Sequence, residues 1–312
     1  MAVACPLCSS EKTSLITNKV RFDNKADILR CQNCSLVFLD QNSFELPADF
    51  YETEYHQTYL AHVEPALLDP NAYYDKMRVV TKPWSDKINN MLTGAEVILD
   101  FGCSTGHLIS NIQDKAGKVY GHELNKKEVE FCRNMKGLDV ASEPLHKRFA
   151  EGMFDYITMI FVLEHIAEPI VLLNYLKRFL KTTGKFLILV PNAQDALLRF
   201  YDIPEFIHFY YCVEHLFYYT PETINEVFRQ AGLTGNIATI QEYPITNHLN
   251  WSYRQKPSDT LASRRGIPDI PLGAIDKISK WEDFWGRVDE QYKVFLEENG
   301  YGDRIWCEVG LE

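Results

Sequence analysis

The stretch Val97-Ile-Leu-Asp-Phe-Gly-Cys-Ser-Thr-Gly-His107 decides the fold. Its first five residues, VILDF, form a short apolar run bounded by Gly94 and Gly102. Such a run predicts a strand buried on both faces, as in a parallel sheet. A strand that enters a glycine loop and then a helix is a nucleotide-binding turn, because Gly102 and Gly106 let the backbone approach a ligand without a Cβ. Glu123 ends the next predicted strand, Val119–Glu123, about twenty residues on, where an acid meets ribose hydroxyls. The glycines are spaced G-x-x-x-G, so the G-x-G-x-x-G of a pyrophosphate site is absent. The chain also lacks the Tyr-x-x-x-Lys pair of short-chain dehydrogenases.

Working outward, residues 94–245 alternate apolar runs with helical patterns, which predicts βαβ units around a parallel sheet. Asn125 reads as an N-cap with Glu128 closing a capping box, and Gly137 as the C-cap glycine of the same helix. Phe154–Ile160 reads as a strand. Pro169 opens a helix with Leu172, Leu176, Phe179 and Leu180 on one face, ended by Gly184, and Lys185–Val190 is the next strand. Thr220-Pro221 opens a further helix and Gly232 closes it. Residues 246–312 are expected to begin irregularly, pass through a helix over about Asp276–Asn299, and end in an edge strand, Arg304–Val309.

The N-terminal segment reads differently. Cys5, Cys8, Cys31 and Cys34 form the pattern C-x2-C-x22-C-x2-C, while the other four of the eight cysteines are scattered. Two C-x2-C knuckles supply four thiolates at tetrahedral corners, so residues 1–40 are expected to form a zinc ribbon. With four sulfur ligands and no place for water, the Zn2+ is structural. Residues 41–93, rich in tyrosine and acids, read as a mostly helical lid or linker. The main α/β domain then spans 94–312, with an insertion at about 246–300.

Composition narrows the partners. The apolar fraction of 46% and charged fraction of 24% suit a globular chain with a real core. A net charge of −11 repels a phosphate backbone and disfavours a general nucleic-acid partner. No apolar run is long enough to cross a membrane. The start, MAVACPLCSS, lacks the basic flank and apolar core of a signal peptide, so the expected compartment is the cytoplasm, where thiols stay reduced.

These residues resemble a known family. VILDFGCSTGHL is similar to motif I of class I methyltransferases that use S-adenosylmethionine (SAM), and VYGHELNKKEVEFCR to their second-strand motif. FDYITMIFVLEHIAEP resembles their fourth-strand motif and KFLILVPN their fifth strand. CPLC with RCQNCSLVFLD and the aromatics near FYETEY resemble methyltransferases of sugar and surface-polysaccharide pathways. The resemblance implies an α/β fold: a Rossmann-like seven-stranded sheet with helices on both faces, plus the small N-terminal ribbon. It implies that Asp100, Gly102, Ser104 and Gly106 surround the methionine end of SAM and that Glu123 binds the ribose. Adenine then lies near Glu143–Leu145, with Leu145 as a contact, although Pro144 replaces the acid usual beside that leucine. Tyr55 and Tyr59 lie where relatives fold a lid over the cofactor.

Methyl transfer from a sulfonium is an in-line displacement, so the protein must align the acceptor and remove its proton. Two Glu-His pairs qualify as the base. Glu164-His165 is expected at the end of the fourth strand, and Glu214-His215 just before the Thr220 helix. Sugar C-methyltransferases with a zinc ribbon carry Tyr-His-Glu-His in the later position. Tyr211, Glu214 and His215 match it in part, because Cys212 and Val213 intervene, which leaves C-, O- and N-methylation open. Trp251, Tyr253 and Arg254 are candidates to line the acceptor pocket. The expected acceptor is a small polar molecule such as a nucleotide-linked or activated sugar. The alternatives are an RNA base methyltransferase whose ribbon grips RNA, and a non-catalytic SAM-binding module.

Overall fold

A computed structural model of the chain describes residues 3–44, 64–257 and 278–312. They form two sheets. The smaller holds β1 (Thr13–Lys19), β2 (Lys25–Cys31), β3 (Val37–Leu39) and β9 (Phe217–Tyr218), in that order, every neighbour antiparallel. The larger has seven strands: β4 (Val97–Phe101), β5 (Lys118–His122), β6 (Val140–Ala141), β7 (Phe154–Ile160), β8 (Leu180–Pro191), β10 (Leu233–Ile240) and β11 (Arg304–Leu311). Its order is β10-β11-β8-β7-β4-β5-β6, and β4 lies parallel to both β5 and β7. Helices between the strands flank this sheet, which is the α/β architecture expected. Among the described residues no helix is long and apolar enough to cross a membrane.

The central strands form because their apolar runs find cover on both faces. Ile98, Leu99, Ile157, Met159 and all of Phe186–Val190 are fully buried. Local signals end the helices between them. Asn125 caps Lys126–Lys136 by accepting from the Lys127 and Glu128 N–H groups, and Gly137 closes that helix in the left-handed region. Thr220 and Thr223 cap Pro221–Gln230 reciprocally: each hydroxyl accepts the other's backbone N–H.

Four local expectations are corrected. Gly184 does not end a helix. The helix Pro169–Leu176 passes into a 3-10 turn at Lys177–Phe179, and Gly184 lies inside β8. A Cβ there would meet the Phe154 carbonyl oxygen at 2.7 Å, and the β7–β8 register slips at this point. The glycine therefore marks a bulge where two backbones come close. β11 is not an edge strand; it sits between β8 and β10, and Ile305, Trp306 and Cys307 are fully buried. Ile245–Arg254 is a helix rather than an irregular start, opened by Pro244 and burying Thr246, Asn247, His248 and Trp251. Glu164-His165 does not end a strand. β7 stops at Ile160, leaving Glu164 and His165 in a 3-10 turn, while Glu214 and His215 belong to the turn before β9.

The chain divides into two compact units. One takes its described residues from Met1–Phe44, Val190–Glu226 and Ile237–Trp306. The other takes them from Glu45–Leu189, Val227–Asn236 and Cys307–Glu312.

Candidate functional site

The glycine loop belongs to the second unit. Asp100, near the C-terminal end of β4, pairs with Gly121 of β5 and Thr158 of β7. Past Phe101 the chain turns sharply. Gly102 and Gly106 adopt φ of 76° and 75°, and Ser104 adopts 49°, a strained value for a residue with a Cβ. The Gly102 and Cys103 N–H groups both donate to the His122 carbonyl, at 2.8 and 3.2 Å. A Cβ on Gly102 would fall 2.6 Å from the Val162 side chain, and one on Gly106 2.4 Å from that of Leu138. Both glycines are therefore needed for the turn itself. Phe161, just beyond the end of β7, also has a positive φ, 55°. Strain thus gathers at the C-terminal ends of the central strands, where open α/β sheets bind ligands.

Glu123 organises the loop. One carboxylate oxygen accepts the Ser104 N–H and the other the Asn125 N–H, each at 2.9 Å. The strand-end acid, the loop and the next helix N-terminus are thereby locked together. The Ser104 hydroxyl is buried and has no hydrogen-bond partner among the described residues. An orphaned buried hydroxyl costs about 1–3 kcal/mol unless a ligand completes it. A strained glycine turn, an orphaned hydroxyl and an oriented carboxylate together fit the sugar and amino-acid ends of SAM.

The carboxyl of Asp100 is held near neutrality. Burial pushes it up to about 7, the Glu123 charge adds to this, and the Thr158 hydroxyl, donating at 2.7 Å, works the other way. Asp100 normally titrates at 3.8, so the native state holds the extra proton between 3.8 and 7. Its stabilising contribution is full below 3.8 and is lost as pH rises through 7. Asp100→Asn removes this dependence. In urea titrations the stability of the variant relative to wild type should rise between pH 5 and pH 7, by on the order of a few kcal/mol, and level off above pH 7. A gap independent of pH would contradict the assignment.

Sequence reasoning passed over Phe101 and His122. Their rings stack beside the loop, centroids 4.8 Å apart and planes 1° apart. Burial, with the nearby Arg148 charge, pulls His122 down to about 4, so it is neutral at pH 7. Leu145 is buried at the start of the short helix Leu145–Arg148. Tyr55 and Tyr59 lie outside the described residues. Glu164 is fully buried, and His165 is partly exposed in the same turn.

The first unit holds the other candidates. Tyr211 and Glu214 are buried, and His215 is partly exposed. Trp251 packs into the interior against Phe206 and Phe209, both at 5.0 Å, and Tyr253 is 84% exposed, so the two point to different environments. A buried polar group past β8, which sequence reasoning missed, includes Asn192, Asp195, Gln241, His248 and Asp303. Burial and the Asp303 charge push Asp195 up to about 7. Only the polar run Asn192-Ala-Gln-Asp195 after the apolar strand hints at it.

The four N-terminal cysteines converge in this unit. Their sulfurs all lie within 4.8 Å of one another, with Cys5–Cys34 and Cys8–Cys31 both at 3.6 Å, and none is in a disulfide. Zn–S bonds of about 2.3 Å at tetrahedral angles put sulfurs about 3.8 Å apart. The Asn33 and Cys34 N–H groups point at Cys31 Sγ, at 3.4 and 3.5 Å, and the Asn33 amide at Cys8 Sγ. Such N–H donors are the usual outer shell of a thiolate site. The donor set and its spacing fit zinc.

A seven-stranded α/β sheet with a glycine turn after β4 and an acid just past β5 is the Rossmann-like architecture expected. Residues 76–237, more than half of the chain, match the family model described as a methyltransferase domain, and the chain belongs to that family. It is a SAM-dependent methyltransferase. Several solved structures are similar to the chain. A SAM-dependent methyltransferase from Archaeoglobus fulgidus aligns with a TM-score of 0.48 and 16% identity, over 75% of this chain and 94% of that one. A possible histamine N-methyltransferase from Thermotoga maritima gives 0.47 and 14%, over 80% and 98%. A SAM-dependent methyltransferase from Aquifex aeolicus gives 0.39 and 21%, over 50% and 82%. No curated protein matches the chain.

Proposed function

We propose that this enzyme methylates a small polar acceptor, a nucleotide-linked or otherwise activated sugar, by in-line displacement. The observation that carries the cofactor half of this reading is the Glu123 carboxylate bridging Ser104 and Asn125 beside the orphaned Ser104 hydroxyl. In this reading Asp100, Gly102, Ser104 and Gly106 hold the methionine end of SAM, Glu123 the ribose, and Leu145 the adenine. Bound SAM supplies the activated methyl group. The protein orients the acceptor and takes its proton. His215 is the base, with Glu214 beside it in the chain and Tyr211 preceding them on the same segment. Glu164-His165 is the alternative pair. The cysteine pattern, whose resemblance runs to sugar methyltransferases, supports the acceptor class. Incubating SAM with a panel of nucleotide sugars and unactivated sugars, and following methyl incorporation, tests it. Transfer to nucleotide sugars is expected; transfer to RNA alone, with salt-sensitive binding, would replace the acceptor.

In the same reading Cys5, Cys8, Cys31 and Cys34 hold a structural zinc ion. Metal analysis of freshly purified, unchelated protein should find one zinc per chain, and Cys31→Ser should lose it. Structural zinc sites carry folding free energy, so the variant should also lose amide protection across β1–β3. Zinc-free protein with those strands intact would overturn the assignment.

A further inference from the structure

The ribbon's sheet does not end with the ribbon. Its fourth strand is β9, contributed from far along the chain: Val37 pairs with Tyr218 and Phe38 with Phe217. The Leu39 N–H donates to the Leu216 carbonyl at 3.0 Å. On the other side of the turn the Arg21 N–H donates to the Tyr211 carbonyl at 2.8 Å, and the Arg21 side chain donates to the Phe209 carbonyl at 2.6 Å while lying 4.5 Å over the Phe209 ring. The turn also braces itself. The Tyr218 hydroxyl accepts the Cys212 N–H and donates to the Cys212 carbonyl, both at 2.8 Å. Residues 211–216, which carry Glu214 and His215, are therefore held at both ends by backbone bonds from residues 21 and 39.

The cysteine cluster lies at one end of this frame. Cys31 is the last residue of β2, and its N–H donates to the Leu36 carbonyl, closing the turn that feeds β3. An unbroken path of paired backbone thus runs from Cys31 through β3 to β9.

We infer that the ribbon is a clamp: by holding β3 in place, the metal-loaded cysteine cluster sets the conformation of the Cys212–Leu216 turn, which Arg21 braces from its other end. Arg21 and Tyr218 are its positioning residues. The consequence for catalysis rests on the reading of Glu214 and His215 as the proton-removing pair; the clamp itself does not.

The test uses the full, zinc-loaded chain. Hydrogen exchange is followed by mass spectrometry, and His215 is followed by NMR of labelled histidines, before and after chelation and in Tyr218→Phe and Arg21→Ala. Each change should raise exchange over 211–219 by about tenfold or more and move the His215 resonance. Peptides covering 97–123 and the His122 resonance should stay as they were. If chelation strips protection from β1–β3 and leaves 211–219 unchanged, the clamp is wrong. If chelation unfolds the whole chain, the two zinc-loaded variants decide, and unchanged exchange over 211–219 in both overturns the inference. A loosened turn combined with wild-type methyl transfer in His215→Ala keeps the clamp and removes His215 as the base.

Discussion

His215→Ala should slow single-turnover methyl transfer by about two to four powers of ten, the usual contribution of a general base. SAM affinity should stay nearly unchanged, since the cofactor gains nothing from the base. A histidine suits the task because its ordinary pKa lies close to neutrality and a neighbouring carboxylate can stabilise its charged form. The structure adds a reason of its own. His215 is partly exposed in a turn whose two ends are held by backbone bonds, while Glu214 beside it is buried. His165→Ala should have the smaller effect on rate and the larger on stability, because its turn follows the central strand β7 directly. The measurement is rapid-quench transfer to the true acceptor, after zinc content and fold are confirmed in each variant. A wild-type rate in His215→Ala with a dead His165→Ala would move the role to the earlier pair. Equal small losses in both would mean that positioning alone drives the reaction.

Glu123→Ala should weaken SAM binding by about two to four powers of ten. Two charge-assisted hydrogen bonds to a ribose are worth about 1.5–3 kcal/mol each, and every 1.4 kcal/mol is tenfold. The side chain also holds the Ser104 and Asn125 N–H groups, so its loss releases the loop that the cofactor meets. Glu123→Gln keeps an acceptor but loses the charge, and should fall between the two. Equilibrium dialysis with labelled SAM measures all three. Unchanged affinity in a folded Glu123→Ala would place the ribose elsewhere.

What was legible in the sequence was local. VILDF and FDYITMI are strands with the expected bounds, because a short apolar run between breakers has few other ways to be buried. Asn125 caps its helix through its own side chain, and Gly137 closes it because, lacking a Cβ, it takes the left-handed conformation. The convergence of the four cysteines was also readable, since knuckle spacing dictates it.

What was not legible depends on partners distant in the chain. Gly184 reads as a helix end, yet its place is set by the Phe154 carbonyl of a neighbouring strand. Arg304–Val309 reads as an edge because nothing in its own residues announces β10 on its far side. The pairing of Phe217–Tyr218 with Val37–Phe38 joins segments about 180 residues apart and has no local signature. The same holds for the site. Gly102, Ser104 and Glu123 stood out as types in a pattern, but the orphaned Ser104 hydroxyl and the near-neutral Asp100 arise only when burial is known.

In the proposed reading, the glycine turn after β4 and the Glu123 carboxylate hold SAM. Isothermal calorimetry of SAM against the full, zinc-loaded protein tests it most directly. Saturable binding of one SAM per chain is expected, displaced by S-adenosylhomocysteine, which shares every group the loop and Glu123 would hold. A folded, zinc-loaded sample that takes up neither compound would contradict it.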